Sequence, residues 1–220
     1  MVLFVLIFPV LLFAAPQSNH DDSNKYIVKL KEEIKKDPEN TWAYYRLGVA
    51  YDDLGRYEEA VEAYKNVIRI NPRDVYSNYN LGVAYGKLGM YEKAVEAYKN
   101  EINNNPSGTD AYFNLGIAYG KLGMHKEAAS SYEQAIKLNP LDTDAYLNLG
   151  IAYAESGMHE KAIEMFREVL QRTPDAASAH YNIAISSLRL NNREAALKEY
   201  EILKGLDPVV AGRLLTEISN

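Results

Sequence analysis

Residues 80–90, NLGVAYGKLGM, and residues 114–124, NLGIAYGKLGM, are the same phrase apart from Val83 and Ile117, and their starts lie 34 residues apart. A third copy at 148–158, NLGIAYAESGM, keeps that interval. Working outward, six of the eight prolines stand at 38, 72, 106, 140, 174 and 208, each 34 from the next. Gly48, Gly82, Gly116 and Gly150 share the spacing, as do Gly55, Gly89, Gly123 and Gly157. Tyr51, Tyr85, Tyr119 and Tyr153 repeat it, and so do Ala60, Ala94, Ala128, Ala162 and Ala196. A fixed period of this length marks stacked copies of one supersecondary unit. Counting from residue 41 gives five units, 41–74, 75–108, 109–142, 143–176 and 177–210, which cover 170 of the 220 residues.

Each unit reads as two helices, over positions 1–14 and 18–31 of the repeat. Glycine at position 15 ends the first helix because it reaches the left-handed conformation without steric cost. Asn191, the next-best residue there, replaces it in the fifth unit. Proline at position 32 stops the second helix, since it lacks the amide hydrogen and clashes with the preceding turn. The small residues at positions 8 (Gly) and 20 (Ala) let the two helices approach closely, and a larger side chain there should cost roughly 1–3 kcal/mol. The recurrent pattern is aromatic at 4, Leu at 7, Gly at 8, Tyr at 11, Gly at 15, Ala at 20, Tyr or Phe at 24 and Pro at 32. Asn78 breaks it at position 4 of the second unit. The fifth unit is degraded, with His180, Ile183, Ala184, Ser187 and Asn191 at positions 4, 7, 8, 11 and 15.

This pattern resembles the tetratricopeptide repeat. The resemblance implies an all-α fold: an α-solenoid of stacked helix-turn-helix pairs forming a right-handed superhelical arc with a concave groove. It also implies a protein partner held in that groove. Two half-units flank the array. Residues 24–37 place Ile27, Leu30 and Ile34 on one face and read as an N-terminal capping helix. Residues 208–219, opening on Pro208 after a capping Asp207, read as a C-terminal one with Leu214, Leu215 and Ile218 over the open end.

At about 100° per residue, positions 4, 7, 8 and 11 of the first helix share one face, and positions 2, 5, 6, 9, 12 and 13 the opposite one. In tetratricopeptide arrays the latter lines the groove. Here it is apolar. Position 5 holds Tyr45, Tyr79, Phe113, Leu147 and Tyr181, and position 9 holds Val49, Val83, Ile117, Ile151 and Ile185. Residues four apart are neighbours on a helix, and a helix apolar on both faces is either buried or presents a binding patch. Position 6 adds Asn80, Asn114, Asn148 and Asn182, with Arg46 in the first unit. An amide is both donor and acceptor, so a row of them suits the backbone of an extended peptide. The row resembles the asparagine ladder of some tetratricopeptide grooves. The competing reading packs the stripe on the next repeat or the C-terminal helix. A carboxylate clamp of the chaperone-binding kind is not expected, because position 9 is Val or Ile and positions 2 and 5 hold no Lys or Arg.

The rest of the chain narrows the function class. With 24 basic and 30 acidic residues, a net charge of −6 and no basic block, it is a poor nucleic-acid binder. Zero Cys excludes disulfides, thiolate nucleophiles and Cys-based metal sites. His125 and His159 stand at equivalent positions of stacked repeats, about 10 Å apart, too far to share a metal whose ligands lie about 2 Å away. No cofactor, metal or catalytic residue is expected, and about 50 residues outside the repeats are too few for a typical catalytic domain. Residues 1–15, MVLFVLIFPVLLFAA, are uncharged and apolar, and read as an export signal or short membrane anchor. That points to a periplasmic, secreted or membrane-anchored protein. Residues 16–23 read as a linker. The expectation is an interaction scaffold binding a peptide segment of another protein. Its rivals are a self-associating structural array, as a homo-oligomer, and a regulatory subunit of an enzyme complex.

Overall fold

Left-handed backbone at a fixed interval sets the architecture. In the computed structural model, which describes residues 20–219, Gly55, Gly89, Gly123 and Gly157 have φ between 69° and 77°, and Asn191 has φ 60°. Each ends a first helix: α2 (Thr41–Asp53), α4 (Val75–Lys87), α6 (Thr109–Lys121), α8 (Thr143–Glu155) and α10 (Ala177–Arg189). The reversal is closed by the same two bonds each time. Position 16 donates to the carbonyl of position 11, as in Met90 N–H to Tyr85 O at 2.9 Å, and position 15 to that of position 12, as in Gly89 N–H to Gly86 O at 3.1 Å. The second helices follow: α3 (Tyr57–Ile70), α5 (Tyr91–Asn104), α7 (His125–Leu138), α9 (His159–Arg172) and α11 (Arg193–Leu206). They begin at position 17 rather than 18, because position 16 already serves as the helix cap, and they end before the proline at 32. No strand occurs among the described residues.

The first helices start on side-chain caps where position 34 of the preceding turn supplies one. Asp74 accepts from Ser77 N–H at 2.8 Å and Asp142 from Ala145 N–H at 3.0 Å. Asn40 does the same for Ala43 N–H at 2.9 Å. Gly108 and Ala176 offer no such group.

Within each of the first four repeats the two helices lock at one contact. A Cβ built on Gly48, Gly82, Gly116 or Gly150 would stand 2.5–2.6 Å from a ring carbon of Tyr64, Tyr98, Tyr132 or Phe166. The position-24 ring therefore lies flat on bare backbone, and all four rings are buried. In the fifth repeat Ala184 fills that space and Tyr200 is only half-buried. His180, at the aromatic position 4, is buried between the Glu199 carboxylate (Nδ1 2.6 Å) and the Pro174 carbonyl (Nε2 2.9 Å).

The core runs from α1 (His20–Lys36) into α10 and then divides. Ala179 and Ile183 belong to the long cluster, whereas Ala184, Ala196 and Leu203 join Val210, Ala211, Leu214 and Ile218 of α12 (Pro208–Ser219) in a second one. The two flanking helices bury Ile27 and Leu30 at one end and Leu214 and Ile218 at the other. Leu215, expected to cover the C-terminal end, is exposed instead, because it lies off the Val210–Leu214–Ile218 stripe. The linker reading of residues 16–23 needs correction at residues 20–23. Residues 20–23 are the first turn of α1, where Asp22 pairs with Lys25 at 3.7 Å and its charge complements the helix N-terminus. Residues 1–15, read above as a signal or anchor, and residues 16–19 lie outside the described residues. No helix among the described residues is long and apolar enough to cross a membrane.

Candidate functional site

Neighbouring first helices touch directly, α4 against α6 and α8 against α10. The resemblance implies that positions 2, 5, 6, 9, 12 and 13 of these helices line the groove. All ten apolar residues expected there, Tyr45, Val49, Tyr79, Val83, Phe113, Ile117, Leu147, Ile151, Tyr181 and Ile185, are half-buried. They pack against the core clusters and keep part of their surface accessible. The position-5 rings are braced from beneath by the position-24 rings: Tyr45 on Tyr64 at 6.1 Å, Tyr79 on Tyr98 at 6.0 Å and Phe113 on Tyr132 at 5.7 Å. Tyr181 and Ile185 differ, since they pack on the second cluster with α12 and form the C-terminal end of the stripe.

The asparagines serve the scaffold as well as the surface. Asn80 donates to the Tyr45 hydroxyl at 3.2 Å and Asn114 to the Tyr79 hydroxyl at 3.0 Å, each reaching back one repeat. Phe113 and Leu147 have no hydroxyl, so Asn148 and Asn182 bond only the carbonyls of Asp144 (2.8 Å) and Ser178 (2.9 Å). Among the described residues no hydrogen bond reaches the amide oxygens of these four asparagines, which leaves a row of acceptors beside the stripe. Arg46, at the same position in the first repeat, donates through Nε to the Tyr26 hydroxyl of α1 at 2.6 Å.

Two aromatic residues escaped the sequence reading. Trp42 and Tyr76 occupy position 2 of the first and second repeats and are 63% and 71% exposed. The helical wheel already placed position 2 on the groove side, and an aromatic there in two adjacent repeats was the available signal. Trp42 stacks on Tyr45 with centroids 5.7 Å apart and planes 13° from parallel. Position 2 is therefore aromatic in the first two repeats and becomes Asp110 and Asp144 in the next two, with Lys87 and Lys121 at position 13 of the second and third.

Position 12 is glycine in the second and third repeats. Gly86 and Gly120 have open space where a Cβ would point. Asp52 takes that position in the first repeat, where its Oδ2 accepts from the Tyr64 hydroxyl at 2.7 Å and its Oδ1 is buried without a partner among the described residues. Burial raises the Asp52 carboxyl above its ordinary range, only partly offset by the Tyr64 hydrogen bond. Burial and the bond to Asp52 in turn push the Tyr64 hydroxyl well above the usual tyrosine value. Among the described residues no group of three or more His, Asp or Glu is arranged to hold a metal ion.

Family models described as TPR repeat match residues 52–89 and 87–123, and models described as tetratricopeptide repeat match 30–62, 113–177 and 156–211. Together these span residues 30–211. Among curated proteins, none matches the chain. Several solved structures are similar in fold. A MamA protein is 27% identical, covers 78% of this chain and 93% of its own, and has a TM-score of 0.74. MamA from Desulfovibrio magneticus RS-1 is 24% identical, with coverages of 77% and 96% and a TM-score of 0.72. YrrB, described as a TPR protein with an unusual peptide-binding site, is 23% identical, with coverages of 85% and 97% and a TM-score of 0.77.

Proposed function

The chain belongs to the tetratricopeptide repeat family, and from that premise we propose that this interaction scaffold holds an extended segment of a partner protein along α2, α4, α6 and α8. One observation carries the reading. Tyr79, Phe113 and Ile117 are neither sealed in the core nor fully in solvent, which supports reading them as the floor of a groove. Burying such a floor is favourable by about 25 cal/mol per Å2 of apolar surface. The amide oxygens beside it accept N–H groups from a peptide backbone, a mode that gives affinity with little sequence selectivity. That YrrB carries a peptide-binding site on a similar fold supports the reading. The experiment is a peptide-array screen with the full chain, repeated with Phe113→Ala combined with Asn114→Ala. Loss of bound peptides supports the groove, and an unchanged binding set overturns it.

A second reading has its own observation. Leu197, Ile202, Leu206, Val209 and Leu215 are exposed at the C-terminal end. An apolar end of this kind supports self-association, which light scattering over a concentration series tests. The uncharged apolar stretch 1–15 supports an exported or membrane-anchored setting for either reading. Neither reading calls on catalysis.

A further inference from the structure

We propose that the cleft between α1 and α2 is an arginine-binding pocket that anchors the partner segment at the N-terminal end of the groove. The proposal deepens the groove reading above and rests on it.

The cleft has a volume of about 530 Å3, and its walls include Trp42, Tyr45, Tyr26, Arg46, Asp22 and Asp53. Tyr45 stacks on one face of the Trp42 indole, and the residue remains 63% exposed, which leaves indole surface accessible. An open indole is the best aromatic surface for a cation. The cleft's own cation is already engaged. The Arg46 guanidinium lies 5.1 Å over the Tyr26 ring, donates to that hydroxyl, and stands 3.7 Å from Glu33. What the lining leaves for a ligand is the two carboxylates of Asp22 and Asp53. Asp22 pairs with Lys25 only at 3.7 Å, with both side chains more than 70% exposed, a geometry of little strength.

Charge complementarity therefore selects a basic side chain over an apolar one, which would strip water from the carboxylates without compensation. Among basic residues, arginine fits best. Its planar guanidinium lies on an indole and still directs paired N–H groups at a carboxylate, which the compact lysine ammonium does not. The chain already uses this combination away from the cleft. Arg172 lies 4.6 Å over Tyr146 while pairing with Glu168 at 3.1 Å, and Arg56 lies 4.6 Å over Tyr51 while pairing with Glu59.

Trp42 is the single tryptophan of the chain, so its emission reports on this cleft alone. The full chain is titrated with a soluble peptide carrying arginine at alternate positions, with the same peptide carrying neutral citrulline, and with a proline-rich peptide. The expected result is a saturable emission change with the arginine peptide, with affinity about tenfold lower for citrulline. Asp53→Asn with Asp22→Asn lowers arginine-peptide affinity by a similar factor, and Trp42→Ala, followed by calorimetry, abolishes it. Equal binding of the citrulline or proline-rich peptide overturns the proposal, as does indifference to the Asp variants. All three sites lie on the surface, and circular dichroism verifies that the variants fold. A long arginine peptide separates the two readings. If its binding needs Phe113 and Asn114 but ignores Trp42 and Asp53, the pocket fails and the groove stands. If the reverse holds, the groove fails and the pocket stands alone.

Discussion

The side-chain amide of Asn114 donates to the Tyr79 hydroxyl at 3.0 Å, across 35 residues of chain. The same rung joins Asn80 to Tyr45 at 3.2 Å. These bonds tie successive first helices together along the groove, so the first three repeats are cross-braced where the later ones are not. Tyr79→Phe removes a rung and is expected to cost about 1 kcal/mol in urea unfolding. Asn148→Ala loses only a bond to its own helix and is expected to cost less. Equal costs would show that the rungs do not couple the repeats.

Glycines within the first helices answer the same substitution with opposite signs. Alanine is the better helix former by about 1 kcal/mol. At Gly86 and Gly120 nothing lies near the added methyl, so Gly→Ala should stabilise by about that amount. At Gly82 or Gly116 the methyl would stand 2.5–2.6 Å from the Tyr98 or Tyr132 ring. Gly→Ala there should destabilise by roughly 1–3 kcal/mol. Chemical denaturation of the single variants measures both.

The second repeat carries a buried polar knot. Ser77, Asn78 and Glu101 are buried, with Glu101 only 4% exposed. They stand where the other repeats have Ala (position 3), an aromatic or His (position 4), and Val, Ala or Leu (position 27). Ser77 Oγ and Glu101 Oε2 have no partner among the described residues. Burial raises the Glu101 carboxyl above its ordinary range, with the Asn105 hydrogen bond opposing and the Asp74 charge adding. A carboxyl raised in the folded state favours folding below its unfolded value, and that contribution is lost as pH rises through the folded one. Glu101→Leu should therefore stabilise by about 1 kcal/mol or more at pH 7. Its advantage over the parent should shrink as the pH falls toward the unfolded carboxyl value. An advantage that grows on acidification would contradict this.

The fifth repeat is expected to open first. Its core is split from the main cluster, its position-24 ring is half-buried, and Ala176 supplies no cap to α10. Repeat arrays open locally from their weakest neighbours. Hydrogen exchange should be fastest in α10 to α12. Ala176→Asp should add about 1 kcal/mol by capping α10 as Asp142 caps α8. Slowest exchange in that segment would overturn the ranking.

Much of this was legible because one residue suffices to state it. A glycine every 34 residues announces a left-handed turn, and the turns stand where expected. Positions 5, 6 and 9 could be set on the face opposite the partner helix from the helical angle alone, and that this face lines a groove is what the resemblance implies. Trp42 and Tyr76 were overlooked because position 2 changes character along the array, so no column of identical residues drew attention to it. The knot around Glu101 was invisible for a related reason. Asn78 looks like an isolated lapse until the fold sets Ser77 and Glu101 in the same repeat at positions that are apolar elsewhere.

The sequence by itself determined the repeat, the helix ends and the faces, because these depend on backbone conformation and a local angular period. Only the tertiary structure decided that the asparagines are partly spent on neighbouring tyrosines, that the C-terminal helix takes up the last two stripe residues, and that an aromatic, acid-lined cleft opens beside Trp42. Those features are contacts between residues 20 to 35 positions apart, and their distances follow from how the helices stack rather than from any one segment.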